Sequence, residues 1–233
     1  MCGRYVSATP PDLLSEQFEA QLPDPPPIAE PRWNVAPGTD VYAVATSRSS
    51  GSRRLGRFRW GLVPNWARDR SIANRLINAR AESILTRPAF RRTLARRRCI
   101  LPADAFYEWK RRPGGRSEPF LVRRRDGDLM ALAGLWEVWW EEGQDRATAE
   151  PLRTCAIVTT RANGVVGAIH DRMPVVLERS EWDVWLDPAI EDVDELRGLL
   201  VPLPDDEVEM LAVGQAVNDV RNEGPELIEP IGS

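Results

Sequence analysis

Cys2, directly after Met1, carries the most specific chemistry in this 233-residue sequence. Removal of Met1, the usual fate of an initiator that precedes a small residue, leaves Cys2 with an α-amine and a thiol on adjacent carbons. Such a 1,2-aminothiol condenses with an aldehyde. The amine forms an imine, and the thiol then closes a five-membered thiazolidine. An α-amine titrates near about 8 and is partly neutral at physiological pH, whereas a lysine amine near about 10.4 is not. Lysine competition is slight here, because 30 of the 31 basic residues are Arg and Lys110 is the single Lys. A cysteine after Met can also be incidental, so the reading depends on the residues that join it.

His170, the sole imidazole, stands in AIHDRMPVVL beside Asp171 and Arg172 and can give a proton to a leaving oxygen or take one from an amine. Its alternative is a hydrogen-bonded structural histidine. Glu108 stands among Phe106, Tyr107 and Trp109, where partial desolvation suits a carboxylate to hold and deprotonate an amine. The other reading is an edge-strand acid facing water. Asn78, in LINARAES, supplies an uncharged donor and acceptor that can orient a polar intermediate. Arg80, two residues on, shares its face if the segment is extended and can grip a phosphate. RWGLVPNWARDR (59–70) interleaves rings and guanidiniums as single-strand binders do, although ordinary packing gives the same pattern.

Composition narrows the remaining classes. Three cysteines at wide spacing disfavour a disulfide framework and fit a reducing cytosol, and one histidine leaves the usual zinc patterns incomplete. No metal or other cofactor is expected. No apolar run approaches the roughly 20 residues of a membrane span, and the start lacks a secretion pattern. A soluble, cytoplasmic protein follows as the expectation. The net charge of −4 hides a polarity: residues 48–125 carry 22 basic and 5 acidic side chains, or +17, against −21 elsewhere. A basic middle can steer a polyanion, while an isolated run such as Arg96 to Arg98 can also be a solvated face.

These side chains need positioning elements. Thr9 before Pro10 and Pro11 reads as a helix cap leading into LLSEQFEAQL, with Cys2 to Val6 as an extended or coil entry. Strands are expected at VYAVAT (41–46), FRWGLV (58–63), PFLVRR, LMALAGLWEVWW, TCAIVTT (154–160) and MPVVL. Helices are expected at Ala89 to Arg98, at SEWDVWL after the cap Ser180, and at Glu191 to Leu200. Residues 23–32, 48–57 and 141–150 read as surface loops. Strands do not alternate with helices, so an α+β fold on a largely antiparallel, barrel-like sheet is favoured over a doubly wound one. Most of the nine Trp should serve packing.

Taken together, CGRY (2–5), WNVAPGT (33–39), RWGLVPNWA (59–67), INARAES (77–83), LPADAFYEWK (101–110), IHDRMPVVL (169–177) and NEGPELIEP (222–230) resemble the SRAP family. The blocks span nearly the whole chain. The resemblance implies one α+β domain over residues 1–233 and a protein that senses abasic sites in single-stranded DNA. It would crosslink to the lesion by a thiazolidine and shield it at stalled forks, with associated lyase and autopeptidase activity. Carried over by motif, Cys2 is the crosslinking nucleophile, Asn78 positions it, Glu108 supports the amine, and His170 serves ring opening, lyase chemistry and reversal. The resemblance likewise makes Arg4, Arg80 and Arg172 phosphate or lesion contacts and puts Trp66 and Trp109 near the DNA path, with Asn34 and Pro37 lining the same site. The implied partner is abasic single-stranded DNA, bound by a monomer that associates with the nucleoid. Two alternatives stay open: a cysteine peptidase using Cys2 and His170, and a non-covalent single-strand binder.

Overall fold

A computed structural model describes residues 2–24, 30–112 and 114–232 of the chain. The chain runs through β1 (Tyr5–Ser7), α1 (Pro11–Gln17), β2 (Arg32–Val35), β3 (Asp40–Thr46), β4 (Arg53–Trp60) and β5 (Asn78–Arg80). Then follow α2 (Pro88–Arg96), β6 (Arg98–Ala103), β7 (Ala105–Lys110), β8 (Glu118–Arg124), β9 (Met130–Trp139) and β10 (Leu152–Arg161). After α3 (Gly164–Gly167) and β11 (Arg172–Pro174), two short helices, α4 (Trp182–Leu186) and α5 (Val193–Gly198), precede β12 (Val208–Ala212).

Five strands close into a barrel in the order β10, β4, β3, β6, β9 and back to β10. Four of the contacts are antiparallel, and β4 with β10 is parallel. Alternation decides which side chains fill it. Ala43, Phe58, Trp60, Cys99, Leu101, Leu132, Cys155 and Ile157 share one core. Their neighbours Val44, Leu55, Ile100, Ala133, Ala156 and Val158 pack in a second core with α2, α4 and α5. Burial on both faces explains why β6, β9 and β10 read as nearly continuous apolar runs. A second, fully antiparallel sheet, β12-β8-β7-β1-β2, lays Tyr5, Phe106, Val122 and Val208 on the first core. Its other face holds Val6, Tyr107 and Leu121 under Val213, Val217 and Leu227 of the C-terminal segment. The fold class is therefore the expected α+β with a barrel-like, largely antiparallel β core.

Several local expectations change. Thr9 is not the helix cap: its hydroxyl donates to Asp104 Oδ1 at 2.6 Å, and Pro10 takes the cap position. The first helix stops at Gln17 rather than running on through residue 22. Glu19 there turns with a φ of +52° and Gln21 bridges to Arg54. Residues 53–57, read as loop, form the first five residues of the eight-residue β4, and β4 ends at Trp60 instead of continuing to Val63. Glu178, not Ser180, caps the turn before α4 through a reciprocal capping box with Glu181. Arg98 leaves the helix pattern and opens β6, because its guanidinium is buried on carbonyl oxygens. Nε donates to Trp185 O at 2.5 Å, Nη1 to Leu94 O at 2.7 Å and Ala95 O at 2.9 Å, and Nη2 to Ile190 O at 3.0 Å and to Asp187 O. The Arg96 to Arg98 run is thus no uniform solvated face: Arg97 pairs with Glu137 and lies over Trp136. Of the Pro-rich loop, residues 25–29 lie outside the described residues, as does Met1. Among the described residues no helix is long and apolar enough to cross a membrane.

Candidate active site

The register of β1 against β7 brings Cys2 to Glu108. Tyr5 opposes Phe106, and the Tyr107 N–H donates to Arg4 O at 2.9 Å, so the residues before β1 run antiparallel alongside 107–109. Glu108, two positions along β7 from Phe106, emerges on the same face as the core. Only 3% exposed, it is an interior carboxylate between β1 and β8, which removes the water-facing edge reading. Cys2 is wholly buried in the core with Tyr5, Trp60 and Phe106. Burial first, and then the charge of Glu108, push its thiol up to about 12.

Asn78 comes from β5, a three-residue strand held parallel to β10 with Asn78 opposite Ile157. Its Nδ2 donates to Cys2 O at 2.8 Å, a bond worth about 1 kcal/mol in fixing the N-terminal segment. Its buried Oδ1 accepts no hydrogen bond among the described residues. The segment preceding β5 folds back sharply at Gly61, whose φ of +129° favours glycine and whose missing Cβ would stand a tight 3.0 Å from Ala73 O. His170 lies between α3 and β11, with its N–H on Val166 O at 3.0 Å. Nδ1 stands 3.9 Å from Glu108 Oε1 and 3.2 Å from Asp171 Oδ1. The Arg172 N–H donates to the same Nδ1 at 3.0 Å, so the neutral ring carries its proton on Nε2.

Cys2, Asn78, Glu108 and His170 thus gather around one point from the segment before β1, from β5, from β7 and from the β10–β11 connection. The remaining sequence-derived residues divide. Arg172, buried, is committed to protein: Nη1 donates to Glu82 Oε1 at 2.6 Å and Nη2 to Thr159 O at 2.6 Å. Arg80 is exposed on β5 opposite Thr159. Arg4 and Trp109 belong to the opposite face of the β1–β7 sheet from Cys2 and Glu108. The Arg4 guanidinium lies 5.6 Å from the Trp109 ring and donates to Asn34 Oδ1 at 2.6 Å and Val217 O at 2.9 Å. Trp109 Nε1 donates to Asn218 Oδ1 at 2.6 Å. Asn34 is 1% exposed, and its amide holds Val217, Asp219 and Asn222 carbonyls, so it reaches a ligand only by orienting Arg4. Trp66 is 59% exposed, and Pro37 forms the turn between β2 and β3. Sequence reasoning missed Glu82 and Thr159, which anchor Arg172, although Glu82 lies within the INARAES block that drew attention to Asn78. Among the described residues no three His, Cys, Asp or Glu side chains group as metal ligands would.

A closed mixed barrel, flanked by an antiparallel sheet that brings Cys2 beside a carboxylate, an amide and an imidazole, defines the class. Residues 1–220 match the family described as SOS response associated peptidase (SRAP), and the chain belongs to that family. It is 41% identical to the abasic site processing protein YoqW of Bacillus subtilis strain 168 over 98% of this chain and 99% of that one. It is 34% identical to the abasic site processing protein YedK of Escherichia coli K12, over 99% and 100% of the two chains. A crystal structure of a protein from Bacteroides thetaiotaomicron superposes with a TM-score of 0.84 at 23% identity, covering 98% of this chain and 99% of the other, a likeness of fold.

Proposed function

We propose that this protein processes abasic sites, capturing the ring-opened sugar in single-stranded DNA through Cys2 once Met1 is removed. The carrying observation is the convergence of Cys2, Asn78, Glu108 and His170, supported by relatives named abasic site processing proteins. The α-amine adds to the C1′ aldehyde, and the carbinolamine loses one water to give an imine. The thiol sulfur then bonds to C1′ while its proton passes to nitrogen, closing the thiazolidine with a net loss of that single water. Glu108 accepts a proton from the attacking amine, and His170 donates to the sugar ring oxygen as it opens. From the imine, removal of a C2′ proton expels the 3′ phosphate, which gives the associated lyase reaction. Asn78 holds the peptide carbonyl of Cys2 and so the amine's approach. In this reading the protein acts as a monomer on DNA at the nucleoid.

A cysteine peptidase at the same site needs a thiolate, and a buried thiol pushed up to about 12 disfavours it. Incubation with an abasic oligonucleotide is expected to add the mass of the strand minus one water to the protein lacking Met1, in a band that survives denaturant. Equal crosslinking by Cys2→Ala overturns the proposal. A complex formed with or without the aldehyde and abolished by denaturant leaves only a non-covalent binder.

A further inference from the structure

A cavity of about 440 Å3 shares no lining residue with the Cys2 cluster, and Arg59, Arg68 and Arg70 stand in its wall with Ser71 and Asn74. We propose that it is a phosphate subsite, gripping the sugar–phosphate backbone of the single strand that flanks the captured lesion. This rests on the reading that the protein works on single-stranded DNA.

Several arginines elsewhere in the fold are tied to carboxylates. Arg124 engages Asp126, Glu178 and Glu207, Arg123 engages Glu209, and Arg172 engages Glu82. The guanidiniums of Arg59, Arg68 and Arg70 have no hydrogen-bond or ion-pair partner among the described residues. Two acids share the wall, Asp69 and Glu141. Asp69 Oδ1 accepts the Ser71 N–H at 2.7 Å and the carboxylate keeps its charge, so the wall sets three guanidiniums against two carboxylates, a net positive balance. The cavity therefore offers forked donors whose planar geometry matches phosphate oxygens.

Its borders include a tied-down loop and a glycine turn. Trp139 Nε1 donates to Ala67 O at 2.7 Å, pinning to β9 the segment that carries exposed Trp66 on one side and Arg68 on the other. Across the cavity, Gly38 turns with a φ of +82°, and Arg59 Nη2 stands 3.9 Å from where a Cβ would be. Any other residue there is strained by the backbone conformation, although a Cβ would meet the guanidinium only in ordinary contact. An exposed ring followed at once by a pocket of uncommitted guanidiniums is the pairing that holds a single strand, bases on the ring and phosphates on the charge.

The test uses the full chain and an oligonucleotide with no abasic site, so that crosslinking does not enter. Fluorescence anisotropy across a salt series gives the dependence of log K on log salt. For Arg68→Ala/Arg70→Ala the slope is expected to shrink by about 0.7 to 1.4, the value for one or two phosphate contacts to a single strand. The matched variant Arg91→Ala/Arg92→Ala, on the exposed face of α2, removes the same charge elsewhere and should leave the slope near that of the parent. Arg68→Lys/Arg70→Lys should restore most of the slope with lower affinity. An unchanged slope in Arg68→Ala/Arg70→Ala overturns the subsite, as does an equal loss in Arg91→Ala/Arg92→Ala, which reports charge at large. Crosslinking of abasic DNA by the parent with no slope change in the double variant defeats the subsite alone. A slope change in a protein that never crosslinks defeats the covalent chemistry and leaves the subsite standing.

Discussion

Burial of the Cys2 side chain orders the two nucleophiles. A thiol pushed up to about 12 stays protonated at neutral pH, so in the proposed reaction the amine attacks first and sulfur follows onto the more electrophilic imine carbon, giving up its proton as it bonds. In the proposed reaction Glu108 has two parts: its charge helps keep the thiol protonated, and its carboxylate takes the amine's proton. Glu108→Gln preserves shape in the core while removing both effects. Stopped time points read by intact mass are expected to show adduct formation slowed about 10²-fold, the range for loss of a positioned base, with full yield at long times. An unchanged rate would assign the proton to another group. The four central residues were legible through short motifs, because each block holds its chemical side chain beside apolar residues that must be buried. What holds them was not legible: that the Arg172 guanidinium is spent on Glu82 and Thr159 depends on β5 and β11 both bordering β10, a contact between segments some 90 residues apart.

Among the elements, the two short helices α2 and α4 have little intrinsic stability, since helices of this length are marginal without packing. Arg98 ties them together. Its guanidinium takes carbonyls from the end of α2, the end of α4 and Ile190, and burial lowers its pKa to about 10 without removing its charge at neutral pH. Arg98→Ala leaves those oxygens without a donor, and urea denaturation should show a loss on the order of 3 kcal/mol, since a single bond to a charged donor contributes about 1.5–3. Arg98→Lys should recover little of it, because one ammonium cannot span the fork. Crosslinking at low temperature is expected to survive, as the site is built from other strands. The same residue shows why the sequence misleads here. Three consecutive arginines after a helical pattern read as a solvated helix end, yet the helix stops at Arg96 and the third arginine opens a strand. β6 and β7 were missed as well, since a single residue, Asp104, separates them and Pro102 falls inside β6 rather than at the change of sheet. The long apolar runs of β9 and β10 were plain, but their parallel and antiparallel partners are set by barrel closure rather than by local pattern.

At the scale of the whole molecule, barrel and sheet share a core that contains all three cysteines, each fully buried. Burial raises every one of these thiols, Cys2 to about 12, with Cys99, Cys155 and the Tyr5 and Tyr107 hydroxyls raised by the same cause. In the unfolded chain the thiols ionise near the ordinary 9.0, so above that pH the unfolded state gives up protons the folded state keeps. Stability is then fully present below about pH 9 and falls as pH rises toward 12, by up to roughly 1.4 kcal/mol per pH unit for each thiol. The tyrosines join once unfolded hydroxyls ionise near about 10, so the decline steepens there. Calorimetry between pH 7.5 and 11 should show a melting temperature insensitive to these groups up to pH 9 and falling increasingly fast beyond it. Cys99→Ala creates a small cavity and lowers stability at every pH, yet it removes one of the titrating thiols, so its curve should approach that of the parent as pH rises from 9 to 11. Parallel curves would mean that the buried thiols ionise alike in both states, and the shared core would then have to admit water.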